Sequence, residues 1–235
     1  MEVTKKKYRH LFFDLDRTLY DFDKSTRITF ESLFEKFHLH ENGVTSLDVF
    51  LERYRENNRR LWDRYRKGEI KKKFLNVERF HVTLLEFGIN DRAFAGRFAA
   101  DYVRLSPQNR ALFPGVDELL NHLHGRYRLH IITNGFEEVQ NVKLEANEIV
   151  SFFDTVTTSE EAGAKKPDAR IFKHALGKAG ALPGESLMIG DDYDVDIRGA
   201  RAMGIDQIWY APDGHEPEQY ATWIVSNLTE VLNIL

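Results

Sequence analysis

Residues 10–20 read HLFFDLDRTLY, a short apolar run that ends abruptly in Asp14 and Asp16, with Thr18 two positions further on. Leu11, Phe12 and Phe13 in succession, with no polar alternation, fit a strand buried on both faces, the kind found in a parallel sheet. Two carboxylates one residue apart at the end of such a strand repel each other. They belong where something else on the protein, or something bound to it, supplies positive charge.

Further along the chain the same texture returns. From residue 109 on, short apolar runs (LHIIT, TVTTS, LMIGD, QIWYA and TWIVS) alternate with helical patterns such as GVDELLNHLHGRY and DARIFKHALGKAG. That alternation predicts an α/β, Rossmann-like parallel sheet covered by helices on both faces, with residues 1–21 contributing its first strand. Residues 22–108 read differently. Phe30, Leu33, Phe34 and Phe37, then Val77, Phe80, Leu84 and Phe87, recur at helical spacing, as do Phe50 to Tyr65 and Phe94 to Leu105. The spacing predicts a four-helix insertion after the first strand, so the expected domains are 1–21 with 109–235, and 22–108. Asn227 followed by Glu230 predicts a helix cap before the C-terminal LTEVLNIL.

Bulk composition narrows the function. The 235 residues are 42% hydrophobic and 30% charged, enough for a substantial core. A net charge of −4 and a pI near 6.2 argue against polymeric nucleic acid as a partner. The absence of cysteine rules out disulfides, thiolate catalysis and cysteine zinc sites, and suits a reducing compartment. The apolar run after the basic N-terminus stops too early for a signal peptide, and no stretch is long enough to span a membrane, so a cytoplasmic protein is expected. The lysine runs 5–7 and 71–73 read as solvated surface. The nine histidines show no metal-ligand spacing.

In an open parallel sheet, ligands bind beyond the carboxyl ends of the strands, so the residues that follow each apolar run carry the functional information. They are Asp14 and Asp16, then Thr133 and Asn134, then Asp191 and Asp192, with Lys166 on the loop GAKKPDARIF. A pair of unit charges about 4 Å apart repels by about 4 kcal/mol at an effective dielectric near 20. A hard divalent cation relieves that repulsion, and oxygen-only donors point to Mg2+. Lys166, Thr133 and Asn134 then suit an incoming phosphate. With the phosphate's charge countered, Asp14 can attack phosphorus, while Asp16 protonates the leaving oxygen and later activates water. The acidic run DDYDVD does not fit a calcium loop, because Ile197 stands where glycine is required and Met203 where glutamate is.

The ordered segments DLDRTL, IITNG, KKPDARIF and IGDDYDVDIRGARAMG resemble the four motifs of the haloacid dehalogenase-like superfamily, and the helical insertion resembles its subfamily I cap. The resemblance implies Asp14 as nucleophile and metal ligand, and Asp16 as acid/base with its backbone carbonyl on the metal. It implies Thr18 as a residue positioning Asp16, Thr133 and Asn134 as phosphate-holding groups, and Lys166 as a bridge between phosphate and nucleophile. Asp191 would ligate magnesium, and Asp196 would act through water or Lys166. FFDLDRTLYDFD, LWDRYRKGEI, IITNGF and EEAGAKKPDARIF are more closely similar to YjjG-type pyrimidine nucleotidases. That similarity implies hydrolysis of a small phosphorylated metabolite, a nucleoside monophosphate, with a sugar phosphate, another small organophosphate or a phosphomutase reaction as alternatives. Arg17 replaces the glycine common at its position in the superfamily, and Asp192 a frequent serine, so the roles of both stay open.

Overall fold

The structure, a computed structural model, describes residues 8–216 and 220–235; the lysine run 5–7 lies outside them. Six strands form one all-parallel sheet: β1 (His10–Phe13), β2 (Arg128–Thr133), β3 (Thr155–Thr158), β4 (Ser186–Gly190), β5 (Asp206–Tyr210) and β6 (Trp223–Val225), in the order β3-β2-β1-β4-β5-β6. Each strand coincides with an apolar run of the sequence. β1 is central, with Phe13 opposite Ile131 on one side and Ile189 on the other. Because the chain leaves β1 toward β2 in one direction and β4 in the other, the strand order reverses at β1. The crevice beyond its carboxyl end is where such sheets bind ligands.

Both faces of β1 are buried, which explains its lack of alternation. Leu11 and Phe13 pack with Leu129, Ile131, Leu187 and Ile189 in one apolar cluster, and Phe12 packs with Ile132, Met188, Ile171 and Phe172 in the other. Residues Asp23–Asn109 form a separate compact unit, and the remaining described residues form the other. The inserted unit contains α1 (Phe22–Lys36), α2 (Leu47–Arg66), α3 (Lys72–Glu86) and α4 (Arg92–Leu105). Its core is aromatic: the Phe30 ring lies 4.8 Å from Tyr54, 5.3 Å from Phe50 and 5.1 Å from Tyr102, centroid to centroid. The sheet is accompanied by α5 (Val116–Leu123), α6 (Glu137–Ala146), α7 (Ala169–Ala179), α8 (Arg198–Ala202) and α9 (Val231–Ile234). The expected cap is present: Asn227 accepts from Thr229 N while Glu230 accepts from Asn227 N. No helix of the described residues is long and apolar enough to cross a membrane.

One polar chain crosses the buried sheet. His10 Nδ1 lies 3.0 Å from His130 Nε2, and His130 Nδ1 lies 2.9 Å from Thr155 Oγ1. Both rings are buried, and His130 stacks on Phe12 at 4.7 Å. Burial, with His10 alongside, pushes His130 down to about 4 from its ordinary 6.5. The unfolded chain therefore takes up a proton near pH 6.5 that the folded chain refuses until about pH 4. This contribution to stability is complete above pH 6.5 and shrinks as pH falls through that window, by on the order of 2 kcal/mol after solvent screening. Urea midpoints at pH 7.5 and pH 5 should show His130→Gln losing less stability on acidification than the parent. An equal loss in both proteins would show that this histidine does not set the slope.

Candidate active site

The β1 ladder continues one step past the strand, with Asp14 N donating to Ile189 O at 2.9 Å. The chain then folds back sharply. Leu19 N and Tyr20 N both donate to Leu15 O, and Arg17 N donates to Tyr20 O. Arg17 sits at the apex with φ 65°, in the left-handed region that glycine enters freely and other residues enter at a cost of about 1 kcal/mol. The backbone at this position therefore has the glycine-like geometry even though the residue is arginine. The Arg17 guanidinium lies over the Phe22 ring at 4.9 Å, a contact that offsets part of that cost.

Three carboxylates meet at the ends of β1 and β4. Asp14, Asp191 and Asp196 each offer an oxygen within 4.8 Å of the others. Asp191 directly follows β4, and Asp196 is brought back by a π-helical turn at Tyr193–Ile197, whose start is capped by Asp192 accepting from Asp194 N and Val195 N. Asp192 thus works as a cap rather than joining the cluster. Gly190 makes the convergence possible: a Cβ there would lie 2.5 Å from Asp196 Oδ2. Thr18 Oγ1 donates to Asp191 Oδ1 at 3.1 Å, and Trp209 Nε1 donates to Asp191 O at 2.8 Å.

Lys166 enters this cluster, only 2% exposed, donating to Asp14 Oδ1 at 2.5 Å and Asp196 Oδ1 at 2.6 Å. Burial alone would lower its ammonium, but the two carboxylates more than offset that and raise it. One ammonium cannot serve three carboxylates. Burial pushes Asp14 well above the usual carboxylate range, with Asp196 and Asp191 opposing the relief that Lys166 provides, and burial with repulsion from Asp196 pushes Asp191 up to about 7. A buried, oxygen-only group with this excess of negative charge fits a hard divalent cation such as magnesium.

Asp16 belongs to a different environment two residues away. Burial would raise its carboxyl, but Lys143 on α6, itself buried, pairs with it and Gln140 Nε2 donates to it at 2.9 Å, so it is held below the usual range. Gln140 Nε2 also donates to Thr133 Oγ1 at 2.7 Å, and Gly135 N donates to the same oxygen at 3.0 Å. With two donors on its oxygen, the Thr133 hydroxyl proton is directed outward, available to an anion.

Two expected site residues make contacts the sequence did not indicate. The Asn134 side chain brackets the backbone of Lys166: Nδ2 donates to Lys166 O at 3.0 Å and Oδ1 accepts from Lys166 N at 2.8 Å. Its amide therefore fixes the lysine loop, where the sequence suggested a group facing phosphate. Thr18 was expected to position Asp16, and its hydroxyl donates to Asp191. Sequence reasoning missed Lys143 and Gln140 altogether. Their three-residue spacing on one helix face was the available signal, but α6 has no motif to draw attention to it.

Lys143→Met should leave the half-buried Asp16 without its cation and destabilise the protein by about 1 kcal/mol, while the double variant with Asp16→Asn should recover much of that loss. Denaturant unfolding of the four proteins measures the coupling directly. Additive losses would mean the pair does not interact as described.

The profile of the haloacid dehalogenase-like hydrolase family matches residues 11–210. The chain is 33% identical to the pyrimidine 5'-nucleotidase YjjG of Escherichia coli, over 97% of this chain and 98% of that protein. It is 34% identical to the pyrimidine 5'-nucleotidase PynA of Streptococcus pneumoniae, over 97% and 95%. Among solved structures, the magnesium-bound HAD-hydrolase YfnB of Bacillus subtilis, whose crystal structure reveals interdomain movement, superposes with a TM-score of 0.86 at 26% identity, covering 97% of this chain and 99% of that one. With its carboxylate cluster at the ends of β1 and β4 and a family match spanning most of its length, this chain belongs to the haloacid dehalogenase-like hydrolases.

Proposed function

We propose that the protein is a magnesium-dependent phosphatase that hydrolyses nucleoside monophosphates through an aspartyl-phosphate on Asp14. The observation that carries this reading is the gathering of Asp14, Asp191 and Asp196 at one point, with Lys166 paired to Asp14 and Asp196. Its extension to nucleotides rests on the two pyrimidine 5'-nucleotidases similar over nearly the whole chain. A sugar phosphate is the second reading, favoured by a more distant relative, the glyceraldehyde 3-phosphate phosphatase of Pyrococcus furiosus, at 28% identity. A cytoplasmic location is part of this proposal, since a nucleotide substrate would be met there.

Asp14 and Asp191, with the Asp16 backbone carbonyl and the nearby Asp196, would hold the metal. When bound, magnesium supplies the positive charge that cancels repulsion among the carboxylates and between Asp14 and the phosphate oxygens. Asp14 remains ionised under those conditions, and its carboxylate attacks phosphorus as the ester oxygen departs. Lys166 donates to the phosphate oxygens as well as to Asp14, and Asn134 keeps it in place by holding its backbone. The Thr133 hydroxyl donates to a further phosphate oxygen. Asp16 delivers a proton to the leaving oxygen and then takes one from the water that cleaves the acyl-phosphate. To do so it must leave Lys143, which otherwise keeps it ionised; the parked arrangement is one state of the acid and the engaged arrangement another. The helical unit, residues 22–108 as read from the sequence, serves as the cap that excludes bulk water during turnover.

Phosphate release from nucleoside monophosphates, sugar phosphates and phosphoglycolate, with and without magnesium, tests the assignment. Pyrimidine monophosphates should be the best substrates, and Asp14→Asn should reduce turnover to background. Wild-type turnover in Asp14→Asn would refute the mechanism, and a preference for sugar phosphates would replace the substrate. Gly190→Ala should lower kcat by about a hundredfold, since an added methyl displaces Asp196 by a fraction of an ångström to an ångström. Unchanged kcat there would mean that the Asp196 position is not critical.

A further inference from the structure

A single amide on α6 touches two site residues that come from different strands. Gln140 Nε2 donates to Asp16 Oδ2 at 2.9 Å and to Thr133 Oγ1 at 2.7 Å, and its side chain is fully buried. Its Oε1 is buried as well and accepts from none of the described residues, which costs on the order of 1–3 kcal/mol. A buried amide that served packing alone would satisfy both of its ends. Here both amide hydrogens are committed to the site while the oxygen goes unmet.

Gly135 points the same way. Its backbone lies outside the left-handed region, so conformation does not require glycine there. Space does: a Cβ would lie 2.0 Å from Gln140 Nε2 and 2.4 Å from its Cδ. The chain after β2 thus leaves room for this amide to reach Thr133 and Asp16. One turn along α6, Lys143 holds the other oxygen of Asp16, Oδ1. The Lys143 ammonium also lies 5.0 Å from the Tyr20 ring centroid and 5.7 Å from that of Phe22, which hold it in place when the carboxylate turns away.

From this we infer that Gln140 is a positioning residue of the reaction: the pivot on which the Asp16 carboxyl group turns from Lys143 to the leaving oxygen, tied throughout to the Thr133 hydroxyl that holds the phosphate. Oδ2 keeps its bond to the amide while Oδ1 exchanges partners. As the ester P–O bond breaks, the proton on Oδ1 passes to the departing oxygen. The inference rests on the phosphatase reading above and adds to it a residue that touches no substrate atom.

The test compares kcat/KM, which reports ester cleavage, for an alkyl phosphate (the better used of UMP and ribose 5-phosphate) and for p-nitrophenyl phosphate, whose leaving group departs without a proton. Gln140→Met keeps the length of the side chain and loses both donors. In that variant the alkyl value should fall about thirtyfold or more and the aryl value about threefold, the shared part of the loss coming from Thr133. Gly135→Ala displaces the amide without altering it and should reproduce the selective loss, which keeps the test open if Gln140→Met does not fold. An equal fall for both esters would mean that Gln140 only packs, and unchanged values would mean that Asp16 and Thr133 are positioned without it; either overturns the inference. A parent protein that, with magnesium, releases phosphate from neither alkyl ester would instead remove the phosphatase reading beneath it.

Discussion

The structure depends on an electrostatic imbalance: three carboxylates, Asp14 and Asp196 buried and Asp191 half-buried, gathered beside one lysine. Asp14 stays in line with β1 through its backbone bond to Ile189, and Asp191 follows β4, the strand paired to β1. Asp196 reaches them only because the chain turns tightly after Asp192 and because Gly190 has no side chain. Lys166 then spans Asp14 and Asp196 from the loop before α7. Without added positive charge this arrangement is unfavourable: burial first, and then repulsion from Asp196, push Asp191 up to about 7. The sheet topology, the glycine and the lysine loop together maintain a cluster whose own repulsion suits the proposed divalent cation and phosphate.

Asp14 and Asp16 show how strongly environment divides two identical side chains. Asp14 faces like charges and is pushed up, whereas Asp16 faces Lys143 and Gln140 and is held down. Only Leu15 separates them along the chain, yet their carboxylates enter these separate surroundings. A nucleophile and an acid/base can thus come from one short segment without sharing a proton. Under the proposed mechanism, the Lys143 ion pair adds a requirement on Asp16, which would exchange it for the substrate during the cycle.

The strands and the four inserted helices were legible in the sequence because burial imposes its own periodicity: continuous apolar runs for strands covered on both faces, and helical spacing for Phe30 or Phe80. The acids and Lys166 were legible because they directly follow strands or stand in a Lys-Pro loop. What stayed hidden was set by contacts distant in sequence. Nothing local to Lys143 shows that it will meet Asp16, and nothing in Asn134 shows that its amide will be taken up by the Lys166 backbone rather than left open. Gln140 was equally hidden, since a glutamine on a helix gives no sign that its amide will bridge Asp16 and Thr133.

The central claim is that Asp14 carries the phosphoryl group during turnover. Acid quench of the wild-type enzyme in the presence of magnesium and a pyrimidine monophosphate, followed by mass spectrometry of the peptide containing Asp14, reads this directly. The account predicts a phosphoryl adduct on Asp14 that appears during turnover and disappears when substrate is exhausted. An enzyme that turns over with no adduct, or with the phosphoryl group on another residue, would contradict it.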